Sequence, residues 1–308
     1  MMPLTGQIES SPDPRDWDFE NSELYGGINV TWSDIDTDGD GHIERDQYAQ
    51  NCVHYALNQA IQDLDRKIVT LGLPVRVAIT KADGSFALDD DGAIALAPDP
   101  VTRKAPLDLL APMFSYGVGR LLKLQANGMA VPEDGLEDVG SSYRFGIMAL
   151  RDVENGGGAR LETLYPDVPR NARRLPPAHV MQGDPLVKIG GYYRIKGEGR
   201  PTALRDGIMA ALTAYNQGKC SKPCTAMQVT EGFVNTPPGQ VYDARNPGER
   251  VGGHAMLVKA YNAADDTVDL HQTWIGRPRT YRVRIDDLAA AGGETWVLKN
   301  LIYIPRVA

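Results

Sequence analysis

The sequence predicts an α+β chain, helical first and mostly β later. Three observations carry this. Apolar residues recur on one helical face from about residue 52 to 71. After about residue 165, short β-rich runs alternate with Gly-, Pro- and Asp-rich turns. Before that point, strand-like runs are concentrated at 72–104. A chain of 308 residues, 42% hydrophobic and 23% charged, can bury a sizeable core in one large domain or two small ones.

In chain order, residues 1–30 are polar and Pro-rich and read as an extended arm. Residues 31–165 read as a helical lobe. It opens on the acidic turn "DIDTDGDGHIERDQ", and the helix from about Cys52 to Leu71 follows. Val53, Leu57, Ala60, Ile61, Leu64 and Ile68 form that helix's apolar face. "LPVRVAITKADGSFALDDDGAIALAP" reads as strands joined by turns, a β insertion at 72–104. "APLDLLAPMFSYGVGRLLKLQ" is a helix candidate weakened by Pro112 and Gly117, and "SSYRFGIMALRDVEN" is another, with Ser141 or Ser142 as its N-cap.

Residues 166–308 read as a β lobe. "VKIGGYYRI" is a strand, and "TALRDGIMAALTAYNQG" is a helix ending near Gly218. "CTAMQVTEGFV", "GHAMLVKAYN", "DTVDLHQTWI", "RTYRVRI" and "TWVLKNLIYI" read as strands. The lobes are expected to pack face to face as one domain.

A net charge of −8 argues against nucleic acid as a partner, since phosphate contact wants a basic face. No apolar run is long enough for a membrane span. The start has neither a basic head nor an apolar stretch, so no secretory signal is expected, which implies a cytoplasmic location or leaderless export. Three cysteines do not make a disulfide framework.

Cys52 is the most informative residue. It sits at the head of a helix, in "RDQYAQNCVHYALNQAIQ". A helix N-terminus or a nearby histidine favours the thiolate, which is the nucleophilic form. Such a nucleophile needs a base, an orienter for the base, and oxyanion donors. The alternative is a small buried apolar residue.

Five histidines are available. His54 is about 200° round the helix from Cys52 and points elsewhere. His42 lies in the acidic turn, and His179 lies in a Pro-rich connection where exposure is expected. His254 heads the apolar strand "GGHAMLVKAY", where two glycines allow close approach. It is either the base or a hydrogen-bonded core histidine.

"DQ…NC" before a long amphipathic helix, then "GGHAMLVKAY", then "QTW", resembles the papain-like cysteine peptidases, especially their divergent bacterial branch. "VGSSYRFGIMALRD", "ETLYPDVP", "GGYYRI" and the leading "PDPRDWDFE" match other family segments in order. The resemblance spans about residues 12 to 290. It implies a two-lobe fold with the active-site cleft between a helical lobe and an antiparallel β lobe. It also implies Cys52 as nucleophile and His254 as its proton partner, and it requires no cofactor. The backbone N–H of Cys52 and the Gln47 side chain would form the oxyanion hole. Gln272 would stand where the family has an orienting Asn, shielded by Trp274, and Ser141 and Ser142 would border the substrate groove. A peptide or protein substrate follows.

The chain departs from the family pattern in four places. Gln47 is one residue nearer the cysteine, Gln272 replaces Asn, Val53 replaces an aromatic, and "RPRTYRVRI" replaces a Gly-rich strand. The Cys-to-His separation is 202 residues (254 − 52), above the roughly 130–150 of compact members. Pairing Gln272 with His254 centres the hairpin on Ala263 and needs an odd loop. An even loop would put His271 opposite His254 instead.

"DTDGDGHIERDQ", residues 36 to 47, fits a calcium-loop pattern, with Asp36, Asp38, Asp40, the His42 carbonyl and Glu44 as oxygen donors. Position 12 is Gln47 in place of the bidentate Glu, and a solvated acidic turn is the other reading. Cys220 and Cys224 lack the further ligands of a zinc site and read as loop thiols or a local disulfide.

The reading as a whole is a cysteine-dependent hydrolase of peptide or related amide bonds. Its rivals are a papain-like scaffold that no longer cleaves, serving as a binding module or part of a larger assembly, and acyl transfer or deamidation by the same pair.

Overall fold

The computed structural model describes residues 50–81, 86–90, 94–107, 110–132, 135–136, 140–151, 157–161, 165, 169–182, 186–274 and 277–305, with the short strands at 8–9, 34–35 and 44–45. The first elements are β1 (Ile8–Glu9), β2 (Asp34–Ile35), β3 (Glu44–Arg45) and α1 (Cys52–Thr70). Next come β4 (Pro74–Val77), β5 (Val101–Thr102), α2 (Pro112–Ala126) and α3 (Tyr143–Arg151). A 3-10 turn (Pro169–Arg173) and α4 (Ala178–Gln182) lead to β6 (Val187–Ile195), α5 (Pro201–Asn216), β7 (Cys224–Thr230) and α6 (Glu231–Val234). The chain continues with β8 (Arg250–Asn262), β9 (Thr267–His271), β10 (Thr280–Arg284), α7 (Ile285–Ala290) and β11 (Glu294–Tyr303).

Local chemistry explains several boundaries. The Asn51 carbonyl accepts the His54 and Tyr55 amides at 2.9 and 3.1 Å, which starts α1. Gly72, at φ +62°, ends it in the left-handed region, its amide bonded to Val69 O at 3.0 Å. Pro112 does not weaken α2. It stands at the first turn, where the missing N–H has no helical partner and the fixed φ suits the helix. Gly117 is a contact point: a Cβ there would lie 2.6 Å from Pro176 Cδ. "CTAMQVTEGFV" is not one strand. The Thr230 side chain accepts the Phe233 amide at 3.4 Å and caps α6.

The main sheet runs β1-β6-β11-β7-β8-β9-β10. β11 lies antiparallel to β6, from Thr295 opposite Ile195 to Tyr303 opposite Val187. Along its other edge, Glu294–Trp296 pair with β7, and Ile302 and Tyr303 pair in parallel with β4. The 72–104 insertion is thereby joined to the sheet. Isolated bridges, among them Ala78–Leu96 and Leu88–Ile94, extend it.

Strand alternation sorts the core into layers. Cys224, Ala226, Ala255, Leu257, Trp296 and Leu298 pack with α1. Met227, Val229, Met256, Val258 and Val297 face the opposite way, against Leu204 and Ile208 of α5 and Leu288 of α7. Phe114, Tyr116, Phe145 and Tyr165 form a third cluster behind α1.

α1 is therefore covered on both sides, and 14 of its 19 residues are buried. Its polar residues need partners in the core. Asp63 takes Lys222 Nζ at 3.4 Å and Gln59 Nε2 at 2.9 Å. Asp65 accepts the Tyr303 hydroxyl at 2.7 Å and the Leu107 amide at 2.5 Å, and pairs with Arg103. Among the described residues, no helix is long and apolar enough to cross a membrane.

Candidate active site

Cys52 opens α1 and is fully buried. It shares a core cluster with Ala255 of β8, and the nearby backbone of Ala255, Val53 and Cys52 itself favours the charged sulfur. Burial outweighs this effect and pushes the thiol up to about 11. The shared cluster sets the nucleophile candidate near the residue that follows His254.

His254 is fully buried and pairs with Met227 of β7. By alternation its side chain shares the side of Met256, where Trp274 also packs. The two rings stack, with centroids 3.9 Å apart and planes at 19°. Burial holds the imidazole down at about 3, and the neighbouring Gln272 acts weakly the other way. Proximity to Gln272 does not amount to a hydrogen bond, because neither ring nitrogen has a partner of bonding geometry.

The Gln272 amide is committed to its own turn. Nε2 donates to Pro278 O at 2.5 Å and Trp274 O at 3.3 Å, and Oε1 accepts the Trp274 amide. Both N–H groups are in use, and only one lone pair of Oε1 is left for the ring. The extra methylene relative to Asn lets the amide fold back this way.

The hairpin register differs from both expected pairings. The turn occupies residues 263–266, with Asn262 opposite Thr267. Asp266, at φ 53°, anchors it through Arg205 Nε at 2.7 Å and the Tyr261 hydroxyl at 3.0 Å. A bulge between Val258 and Ala260 then shifts the pairing, so His271 faces Leu257. Continued at the same register, the residue opposite His254 is Trp274, in keeping with their stacking.

The two serines separate in role. Ser141 turns its hydroxyl inward, 2.9 Å from His54 Nε2, while Ser142 is half-buried and its carbonyl accepts the Gly146 amide at 3.1 Å. His54 points away from Cys52, into the α2 and α3 side, and burial with the Arg120 charge holds it down at about 3. Gln50 Oε1 accepts the Gly140 amide at 3.1 Å. Sequence reasoning passed over Gln50, Ser115 and Asn58. The one signal was the spacing of Gln50 and Asn58 around Cys52 and along α1; Ser115, in α2, gave none.

Asn51 precedes Cys52 and is fully buried, with neither amide atom bonded. Trp274 Nε1 is likewise unpaired. Unpaired buried polar groups cost about 1–3 kcal/mol each, and Asn51, His254 and Trp274 all carry them at this site.

Cys220 and Cys224 are free, buried thiols. Cys220 donates to Ala211 O at 3.5 Å, and Cys224 donates to Ala56 O at 3.4 Å from within β7. The disulfide alternative is thereby corrected: the two side chains belong to different core clusters. Gln47, Asp36, Asp38, Asp40 and His42 lie outside the described residues, as does the His179 side chain. Of the calcium-loop residues only Glu44 is described, as backbone of β3 opposite Ile35. Among the described residues, no cluster of three His, Cys, Asp or Glu could hold a metal ion.

A helix-start cysteine against a histidine-bearing strand can be compared with solved structures. Xylellain, a cysteine protease from Xylella fastidiosa, superposes with a TM-score of 0.56 over 90% of this chain and 97% of its own, at 15% identity. The chain has a papain-like fold. The cysteine protease and lectin-like domains of a surface-layer associated protein of Clostridium difficile cover 97% of the chain at 10% identity, with a TM-score of 0.50. This chain spans 62% of that structure. No family model and no curated protein sequence matches the chain. The likeness lies in the fold, a mixed α+β architecture shared with papain-like cysteine proteases across about nine-tenths of this chain.

Proposed function

We propose that the chain is a cysteine-dependent hydrolase of peptide or related amide bonds, with Cys52 as nucleophile and His254 as its proton partner. The observation that carries this reading is the packing of Cys52 with Ala255 of β8 in one core cluster, which joins the α1 N-terminus to the histidine strand. Similarity in fold to cysteine proteases supports the substrate class.

In the proposed reaction, the Cys52 proton passes to His254 and the sulfur attacks the carbonyl carbon. The oxyanion is held by the Cys52 amide and the Gln47 side chain. His254 returns the proton to the leaving nitrogen as the C–N bond breaks. Water, deprotonated by His254, then cleaves the thioester. At rest, burial keeps thiol and imidazole neutral, so substrate binding must supply the setting in which the ion pair forms. Hydrolysis of a fluorogenic peptide library, abolished in Cys52→Ala at unchanged thermal stability, is the expected result. Equal turnover by Cys52→Ala refutes it.

A second reading is a papain-like scaffold that binds without cleaving. It is favoured by the unpaired nitrogens of His254 and by the self-bonded amide of Gln272. Detectable peptide binding with no turnover, and no labelling of Cys52 by a thiol-directed epoxide, selects that reading. A weak calcium site on residues 36–47 is a proposal from the sequence pattern alone, tested by calorimetric titration with calcium.

A further inference from the structure

The residues two before and two after Cys52 grip the same segment. Gln50 Oε1 accepts the Gly140 amide at 3.1 Å, and His54 Nε2 meets Ser141 Oγ at 2.9 Å. The other side of the His54 ring is equally fixed, with Nδ1 3.1 Å from Ser115 Oγ.

The protons in this network can be assigned by counting. The Ser115 hydroxyl has one proton, which it donates to Pro112 O at 3.0 Å. Its oxygen accepts Asn58 Nδ2 at 2.9 Å. Nδ1 of His54 must therefore carry hydrogen and donate to Ser115, while Nε2 is bare and accepts the Ser141 hydroxyl. The opposite tautomer forfeits the Ser115–Pro112 bond and leaves the Ser141 proton a 3.4 Å contact with Ser142 O. Glycines hold the ring in place: a Cβ on Gly119 would lie 3.0 Å from His54 Cε1, and one on Gly146 would lie 3.5 Å from it. α2 and α3 thus close on the imidazole from two sides.

We propose that His54 is a positioning residue: with Gln50 it clamps the 140–142 segment to the first turn of α1, fixing the spacing between Cys52 and the wall of the cleft. This rests on the reading of Cys52 as nucleophile and of residues 141–142 as the cleft edge. The clamp holds substrate register, because a peptide seated against residues 140–142 presents its carbonyl to sulfur at a distance set by His54 and Gln50. It leaves the chemistry of the thiol itself to other residues.

The test compares two reagents on the full chain at pH 9: iodoacetamide, which reads the thiol, and a tripeptidyl chloromethyl ketone, which must also occupy the groove. Misplacement of a bound substrate by about 1 Å is worth up to roughly a hundredfold in rate. In folded His54→Leu and Ser141→Ala, the peptidyl rate should fall about tenfold or more relative to the iodoacetamide rate. An unchanged ratio, or both rates falling together, overturns the proposal. If His54→Leu does not fold, Ser141→Ala carries the comparison, since it removes a single hydroxyl. The nitrogen-15 spectrum of the wild-type imidazole should show hydrogen on Nδ1, and hydrogen on Nε2 alone overturns the clamp. Failure of iodoacetamide to label Cys52 in the folded wild type defeats the nucleophile reading, and the positioning role falls with it. Failure of the clamp alone leaves Cys52 labelled normally and the ratio unmoved.

Discussion

The imidazole of His254 lies flat on the indole of Trp274, at 3.9 Å and 19°. In this arrangement the ring is covered by an apolar surface and bonded by nothing: neither nitrogen has a hydrogen-bond partner. Burial of this kind favours the neutral form, and it holds His254 at about 3. The indole is part of the cover that keeps the imidazole neutral at rest.

Removing that cover should restore basicity. In Trp274→Ala, the His254 pKa is expected to climb from about 3 toward the ordinary 6.5, followed by proton NMR titration. Loss of the buried indole should destabilise the fold by about 3–5 kcal/mol. Alkylation of Cys52 at pH 7 should speed up, because a cationic neighbour favours thiolate. A His254 pKa that stays near its starting value would mean that other residues maintain its burial.

The three cysteines should label in a definite order. Burial raises Cys52 to about 11 and Cys220 to about 12, and Cys224 still higher with help from the Asp63 charge. Iodoacetamide should modify Cys52 first, with a rate that climbs about tenfold per pH unit across pH 7–10 because only the thiolate reacts. Mass spectrometry of the timed digest identifies the site. A rate that levels off below pH 8 would indicate an ion pair already formed in the free protein.

Gln272 is predicted to matter more for stability than for turnover. Its amide bonds Pro278 O and both backbone groups of Trp274. Gln272→Ala should lower stability by about 1–3 kcal/mol, the cost of buried groups left unpaired. Peptide hydrolysis by the folded variant should change less than about tenfold, since no bond to the catalytic ring is lost. A hundredfold loss with little change in melting would make Gln272 the orienter of His254 after all.

Acid should unfold the chain through two histidines. Folded His54 and His254 are both held at about 3, against 6.5 in an unfolded chain. Because the folded values are the lower ones, the stabilisation is fully present above pH 6.5 and is lost as pH falls toward 3. Each histidine contributes a slope of about 1.4 kcal/mol per pH unit within that window. Urea melts at pH 7, 6, 5 and 4 measure it, and His54→Leu, where folded, should show the smaller slope. A flat profile between pH 6.5 and 4 would mean that neither ring is buried as described.

Periodicity served where one face of an element is buried and failed where both are. The helix expected from Cys52 to Leu71 is Cys52–Thr70, and its apolar stripe is in the core. Asn58, Asp63 and Asp65 are buried as well, and their pattern gave no warning, because their partners lie far off in sequence at Ser115, Lys222 and Tyr303. "VKIGGYYRI" was legible as a strand and forms β6 in full. "CTAMQVTEGFV" was not, since one threonine cap decides where β7 ends.

At the candidate site, the helix-start cysteine and the glycine-led histidine strand could be read from local sequence. The hairpin register could not, because it depends on a bulge near Lys259 and on the anchoring of Asp266 by Arg205. The inward turn of Ser141 was equally hidden, since hydroxyl direction follows from a histidine 87 residues away.

β11 is flanked by β6 on one edge and by both β7 and β4 on the other. It is the last strand of the sheet to leave the ribosome, yet three earlier strands are hydrogen-bonded to it. During synthesis those edges wait unpaired, and the 72–104 insertion has nothing to dock on until residues 302 and 303 emerge. Pairing at such sequence separation is slow, so the nascent chain spends most of its synthesis with open strand edges that invite wrong partners. A release assay on ribosome-stalled chains should show protease resistance rising abruptly once β11 clears the exit tunnel, and not in steps as each helix appears.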